Sequence, residues 1–125
     1  MPEATEPSSI QRVREAAARK GVQLDIRTFD DSTHTAADAA ATVDAELGQI
    51  VKSLVFVAPA DDGSLEPVVC LVSGPNRVDL ARLAAVTGER DIRRANAREG
   101  QELTGFVIGS MPPFGHARQV RTVIH

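Results

Sequence analysis

The sequence predicts an α+β fold in one domain, and three observations predict it. Helix start signals and glycine stop signals alternate four times along the chain. Two Val-rich apolar runs stand on either side of a tight-turn sequence. Strand candidates are joined partly by that hairpin and partly by helices, an order that suits α+β rather than a doubly wound parallel sheet. A chain of 125 residues is long enough for one core, without a disulfide or metal to staple it.

Each element has its own signal. Residues 1–7 are acidic and Pro-containing, with neither the basic start nor the apolar run of a signal peptide. They are expected to form a disordered lead to a single domain over 8–125. Ser8 with Gln11, Thr35 with Asp38, Asn76 with Asp79, and Asn96 with Glu99 are capping boxes or close to them. They predict helices over about 9–20, 36–47, 77–87 and 97–104. Gly21, Gly48, Gly88 and Gly105 follow as left-handed C-terminal caps. Leu24–Phe29 alternates apolar and polar residues and reads as a half-buried strand. Ile50–Ala58 and Pro67–Val72 are nearly continuous apolar runs and read as central strands covered on both faces. Asp61-Asp62-Gly63-Ser64 between them suits a hairpin turn. A short strand is allowed between the third and fourth helices. Phe106–Ile108 and Gln119–Ile124 complete the set, the latter alternating, and the last strand needs its free edge covered.

Composition narrows the function. Cys70 is the one cysteine and lies among Pro, Val and Leu. It is expected to be a buried thiol rather than a nucleophile, and a reducing, cytoplasmic setting is favoured. No apolar stretch approaches a membrane span. Net charge is −3, yet the halves differ: residues 1–66 hold 6 Lys+Arg against 12 Asp+Glu, and residues 67–125 hold 8 Arg against 5. Arg90, Arg93, Arg94 and Arg98 cluster, and such a local basic face either meets phosphates or is a solvated helix edge. Four Phe with no Trp or Tyr argue against a base-stacking platform.

Three groups of residues stand out as candidates for chemistry. Lys52 is one of two lysines among twelve arginines, placed at the start of a central strand where lysine is disfavoured. It is either functional or a snorkelling residue at the strand's first turn. The loop Gly109-Ser110-Met111-Pro112-Pro113-Phe114-Gly115-His116 has glycines outside prolines, which allows a stiff loop to aim main-chain groups at a ligand. An ordinary tight turn is the alternative. Ser32-Thr33-His34-Thr35 places hydroxyls before a helix, for capping or for meeting an anion. His34, His116 and His125 form no zinc pattern with Cys70. No nucleophile elbow, phosphate loop or dinucleotide fingerprint is present, and no cofactor or metal is expected.

These segments, taken in order, resemble the YbaK/EbsC family, which is related to the editing domain of prolyl-tRNA synthetases. The resemblance is carried by Thr35-Ala36-Ala37-Asp38-Ala39-Ala40, Gln49–Phe56 with Lys52 and Ser53, Val78-Asp79-Leu80, Ala95 with Glu99, Thr104-Gly105, and Gly109 with Pro113-Phe114-Gly115. It runs from about residue 8 to residue 124. It implies a mixed, mostly antiparallel, barrel-like sheet of about six strands flanked by about four helices. It implies a trans-acting hydrolase that deacylates mischarged aminoacyl-tRNA carrying a small amino acid such as Ala, Ser or Cys, on tRNA-Pro among others. The family's lysine falls on Lys52, in the catalytic role. Substrate-binding roles fall on Thr35, Ser53, Gly109, Ser110, Pro113, Phe114, Gly115 and His116. Contacts with the tRNA are expected at Arg93, Arg94 and Arg98. The partners implied are the aminoacyl-tRNA 3′ end and an aminoacyl-tRNA synthetase, with no membrane and no DNA. The chain departs from the family pattern at Ser110 and Pro112, and relatives usually run on past the last strand, so the domain is expected to lack the family's C-terminal segment. The competing expectation is a non-catalytic tRNA- or synthetase-binding module of the same fold.

Overall fold

The structure is a computed structural model that describes residues 8–27, 35–109 and 111–125. The expected 1–7 lead, the end of the first strand candidate, His34 and Ser110 lie outside the described residues.

A hairpin forms the centre. Strands β1 (Val51–Pro59) and β2 (Leu65–Ser73) pair antiparallel from Val51 opposite Ser73 to Pro59 opposite Leu65. The turn closes because Asp62 accepts from the Ser64 backbone N–H at 2.9 Å and its hydroxyl at 2.6 Å, while Gly63 takes φ 86°. Side chains alternate across the pair, and both faces are covered, as the unbroken Val runs predict. One face carries Phe56, Ala58, Val68 and Cys70 against Leu83 and Ile92. The other carries Val55, Val57 and Val69 against Ala95, with Leu103, Met111 and Val120 beside them. Cys70 is buried, and burial pushes its thiol pKa up.

Among the described residues four helices surround the sheet: α1 (Ser8–Arg19), α2 (Ala36–Thr42), α3 (Leu80–Thr87) and α4 (Ala97–Thr104). Among them α4 matches its signal end to end. Asn96 accepts from the Glu99 N–H at 2.8 Å, Glu99 answers the Asn96 N–H at 3.0 Å, and Gly105 caps at φ 81°. Two helices differ from expectation. α2 stops at Thr42, not 47, because Asp44 rather than Gly48 takes the left-handed position (φ 56°) and the Ala45 N–H bonds back to Ala40 O at 2.8 Å. Gly48 lies instead in a short 3-10 turn, Leu47–Gln49, held by a Glu46–Gln49 capping box. α3 starts at Leu80, not 77, because Asp79 outcompetes Asn76 as cap, accepting from the Ala81 and Arg82 N–H groups at 2.9 and 3.2 Å.

The sheet has four strands among the described residues, ordered β3-β1-β2-β4. β3 (Arg93–Arg94) pairs antiparallel with β1, and β4 (Arg121–Ile124) pairs parallel with β2. Among the described residues β3 and β4 do not meet, so the sheet is mixed and open rather than closed on itself as a barrel. Two expected strands are not found in the ladder among the described residues. Residues 24–27 have no strand partner. Phe106–Ile108 lies between two left-handed glycines, Gly105 and Gly109 (φ 81° and 94°), which leaves too little extended chain to pair. No helix among the described residues is long and apolar enough to cross a membrane.

Candidate functional site

β3 covers only Phe56 and Val57 of β1. Beyond them, no described strand pairs with the outer edge of residues 51–54, and a cleft of about 320 Å³ lies along it. Its walls come from four places: β1, α2 with Thr35, Arg94, and the segment Ile108-Gly109 with Met111. Of the residues singled out from sequence, Thr35, Lys52, Ser53, Gly109 and Arg94 meet here. Among the described residues no Asp or Glu lines the cleft, in a chain with more acids than bases.

Lys52 is half-buried on the β1 face shared with Phe56, and its ammonium donates to Asn76 O at 2.9 Å. The loop before α3 therefore supplies a carbonyl to aim the lysine, a role for Asn76 in place of capping. An ammonium has three donors, so two remain for a ligand. Arg94 is exposed, with its guanidinium over the Phe56 ring at 5.7 Å from the centroid, and no carboxylate pairs with it among the described residues. Its neighbours differ. Arg93 is bound at both guanidinium nitrogens by Glu99, at 2.8 and 2.7 Å, and Arg98 is bound by Glu102 at 2.9 Å. The Arg93 hydrogen bonds, joined by the Asn96 N–H, pull the Glu99 pKa down to about 2. Thr35 serves as the cap of α2, accepting from the Asp38 N–H at 3.0 Å, while also facing the cleft.

Pro113, Phe114, Gly115 and His116 are not in this cleft. They wall a second one, of about 620 Å³, with the end of α1 and with β4. The loop is pinned from within and from α1. His116 Nε2 lies 2.9 Å from Pro112 O; a carbonyl only accepts, so Nε2 carries the proton. Burial lowers the His116 pKa. Arg12 donates to Gly105 O at 3.0 Å and stacks over Phe106 at 4.2 Å. Gly115 (φ 84°) passes so close to α1 that a Cβ there would meet Ala16 Cβ at 3.2 Å. Arg12 and Ile50 were not expected at a site from sequence; Asn76 was read only as a cap, and Met111 only as part of the Gly109–His116 loop. Arg12 had a signal: it stands one turn before the buried Ala16, on the packed side of α1. Among the described residues no group of three His, Cys, Asp or Glu is placed to hold a metal.

Comparison with known proteins gives this geometry a family. The family model described as "Aminoacyl-tRNA editing domain" matches residues 30–125. The chain is 32% identical over 82 residues to a proline–tRNA ligase of Limosilactobacillus fermentum, covering 66% of this chain and 14% of the ligase. It is 28% identical over 92 residues to the "Putative Cys-tRNA(Pro)/Cys-tRNA(Cys) deacylase EbsC" of Enterococcus faecalis, covering 73% of this chain and 54% of that protein. Among solved structures, a "putative trans-editing enzyme for prolyl tRNA synthetase" superposes with a TM-score of 0.83 at 41% identity, over 97% of this chain and 73% of the other. The chain thus spans only part of the length of these relatives, and over that span it belongs to the aminoacyl-tRNA editing domain family.

Proposed function

We infer that the chain is a trans-acting deacylase that hydrolyses mischarged aminoacyl-tRNA in the cleft along the open edge of β1. The observation that carries this is the meeting of Lys52 and Arg94 in a cleft where no described residue is a carboxylate. Two cations without an acid suit an anionic ligand and a developing oxyanion. In the reaction, water adds to the ester carbonyl, the bond to the ribose oxygen breaks, and that oxygen takes up a proton. Amino acid and free tRNA leave. Lys52, held by Asn76, stabilises the oxyanion. Arg94 holds the terminal phosphate. Ser53, Thr35 and the main chain at Gly109 position the ribose and the aminoacyl group.

Size supports a small aminoacyl group. The cleft is at the low end of the range of about 300–1,000 Å³ for ligand sites, and Ala36, Ala39, Ile50 and Met111 wall it. Alanine, serine and cysteine fit such a sieve, with tRNA-Pro as the carrier suggested by the relatives. A methylene discriminates by only about 1–3 kcal/mol, so a cleft of this kind rejects larger side chains better than it separates these three.

The test is a panel of tRNAs mischarged with alanine, serine, cysteine and proline, incubated with the chain and with Lys52→Ala. The expected outcome is release of a small amino acid, with kcat/KM about 10²–10³-fold lower in the variant, as for loss of an oxyanion-stabilising donor. Equal rates in the two proteins, or none in either, would reject the assignment; tRNA binding without turnover would identify a non-catalytic module.

A further inference from the structure

The second cleft is basic, and among the described residues no acid lines it. Arg19 and Lys20 enter from the end of α1, and Arg118 from the loop before β4, with Gln119 and Thr122 adding neutral donors. Arg19 and Lys20 are exposed and have no carboxylate partner among the described residues. Arg118 has a loose one, Glu66 at 3.7 Å, with both side chains about half exposed. The cations come from segments far apart in sequence and converge only because Gly115 lets the loop lie against α1.

The same loop walls both clefts. Met111 faces the first and Pro113 the second. Two residues of chain span at most about 7 Å, so one extended polyanion can occupy both. We propose that the second cleft seats backbone phosphates of the tRNA acceptor strand next to the 3′-terminal nucleotide held at Lys52. The proposal rests on the deacylase reading for the identity of the polyanion. It moves the main tRNA contact away from the Arg93 and Arg98 surface, where Glu99 and Glu102 already neutralise the charge.

Binding of uncharged tRNA tests this separately from catalysis. Affinity is measured at several salt concentrations for the full chain, for Arg19→Glu/Lys20→Glu, and for a charge-matched control, Arg27→Glu/Arg82→Glu, whose residues line neither cleft. The expected result is a loss of about tenfold or more for the cleft variant, with a salt slope shallower by about 1.4–1.8, the share of two phosphate contacts. The control should change affinity less than the cleft variant and leave the slope in place. Lys20→Gln, which only removes charge, should weaken binding in the same direction by a smaller factor. The proposal is overturned if the cleft variant and the control behave alike, or if the unaltered chain does not bind tRNA. Binding that passes this test while the deacylation panel shows no turnover would reject the enzyme assignment and leave the phosphate seat standing.

Discussion

Lys52 was legible because a lysine in a Val-rich strand is an exception that periodicity exposes. Arg94 was not separable from Arg93 and Arg98, since three arginines close in sequence look alike. What separates them is pairing: Glu99 and Glu102 occupy two of them, while no carboxylate among the described residues pairs with Arg94 at the cleft. Replacing Arg94 with Ala should therefore raise KM for aminoacyl-tRNA by about tenfold or more, the value of a charged hydrogen bond, whereas Arg98→Ala should change it little; steady-state kinetics on both variants checks this. His116 gives a pH signature. Burial lowers its pKa below the usual 6.5, so the folded chain binds fewer protons than the unfolded one. The stability it contributes is complete above about pH 6.5 and falls as pH drops from there toward its lower folded value. Urea midpoints should decline across that window, and His116→Gln, which keeps a donor for Pro112 O without titrating, should flatten this part of the decline.

At the scale of elements, α4 was readable in full because its signals are local: Asn96, Glu99 and Gly105 each bond within one turn. The start of α3 and the end of α2 were not, because two residues competed for one role and tertiary contacts chose between them. Asp79 took the cap and released Asn76 O to Lys52; Asp44 took the left-handed turn and released Gly48. Glu99 ties α4 to β3 through Arg93, and its pKa of about 2 makes the joint acid-sensitive. Its contribution is present above about pH 4.5 and is lost as pH falls through about 2. Glu99→Gln should be less stable than the parent at pH 6, with the difference shrinking as both are acidified. The docking of α1 depends on Gly115. An alanine there combines a left-handed backbone with a Cβ tight against Ala16, so Gly115→Ala should cost about 1–2 kcal/mol or more, read as a lower urea midpoint.

At the scale of the whole molecule, charge is organised against its own average. Net charge is −3, yet among the described residues both clefts are lined by bases without acids. Acidic surface elsewhere discourages unspecific contact with nucleic acid while the clefts attract it locally. The deacylation KM should rise with salt more steeply than kcat falls, which a salt series at saturating and subsaturating tRNA would show. The fold class was legible because burial on both faces forces continuous apolar strands. The open sheet was not, since nothing local says whether edge strands close on each other. The parallel pairing of β4 with β2 has a kinetic consequence. The β1–β2 hairpin closes through a short turn, but β4 reaches its place only after residues 74–120 have crossed over the sheet. Loop-closure entropy must be met before its four register pairs contribute. Hydrogen exchange should find β1 and β2 amides slowest and β4 amides opening at lower free energy. Because residues 109–115 belong to that crossover, the walls they give to the two clefts should be among the last parts of the chain to order during folding.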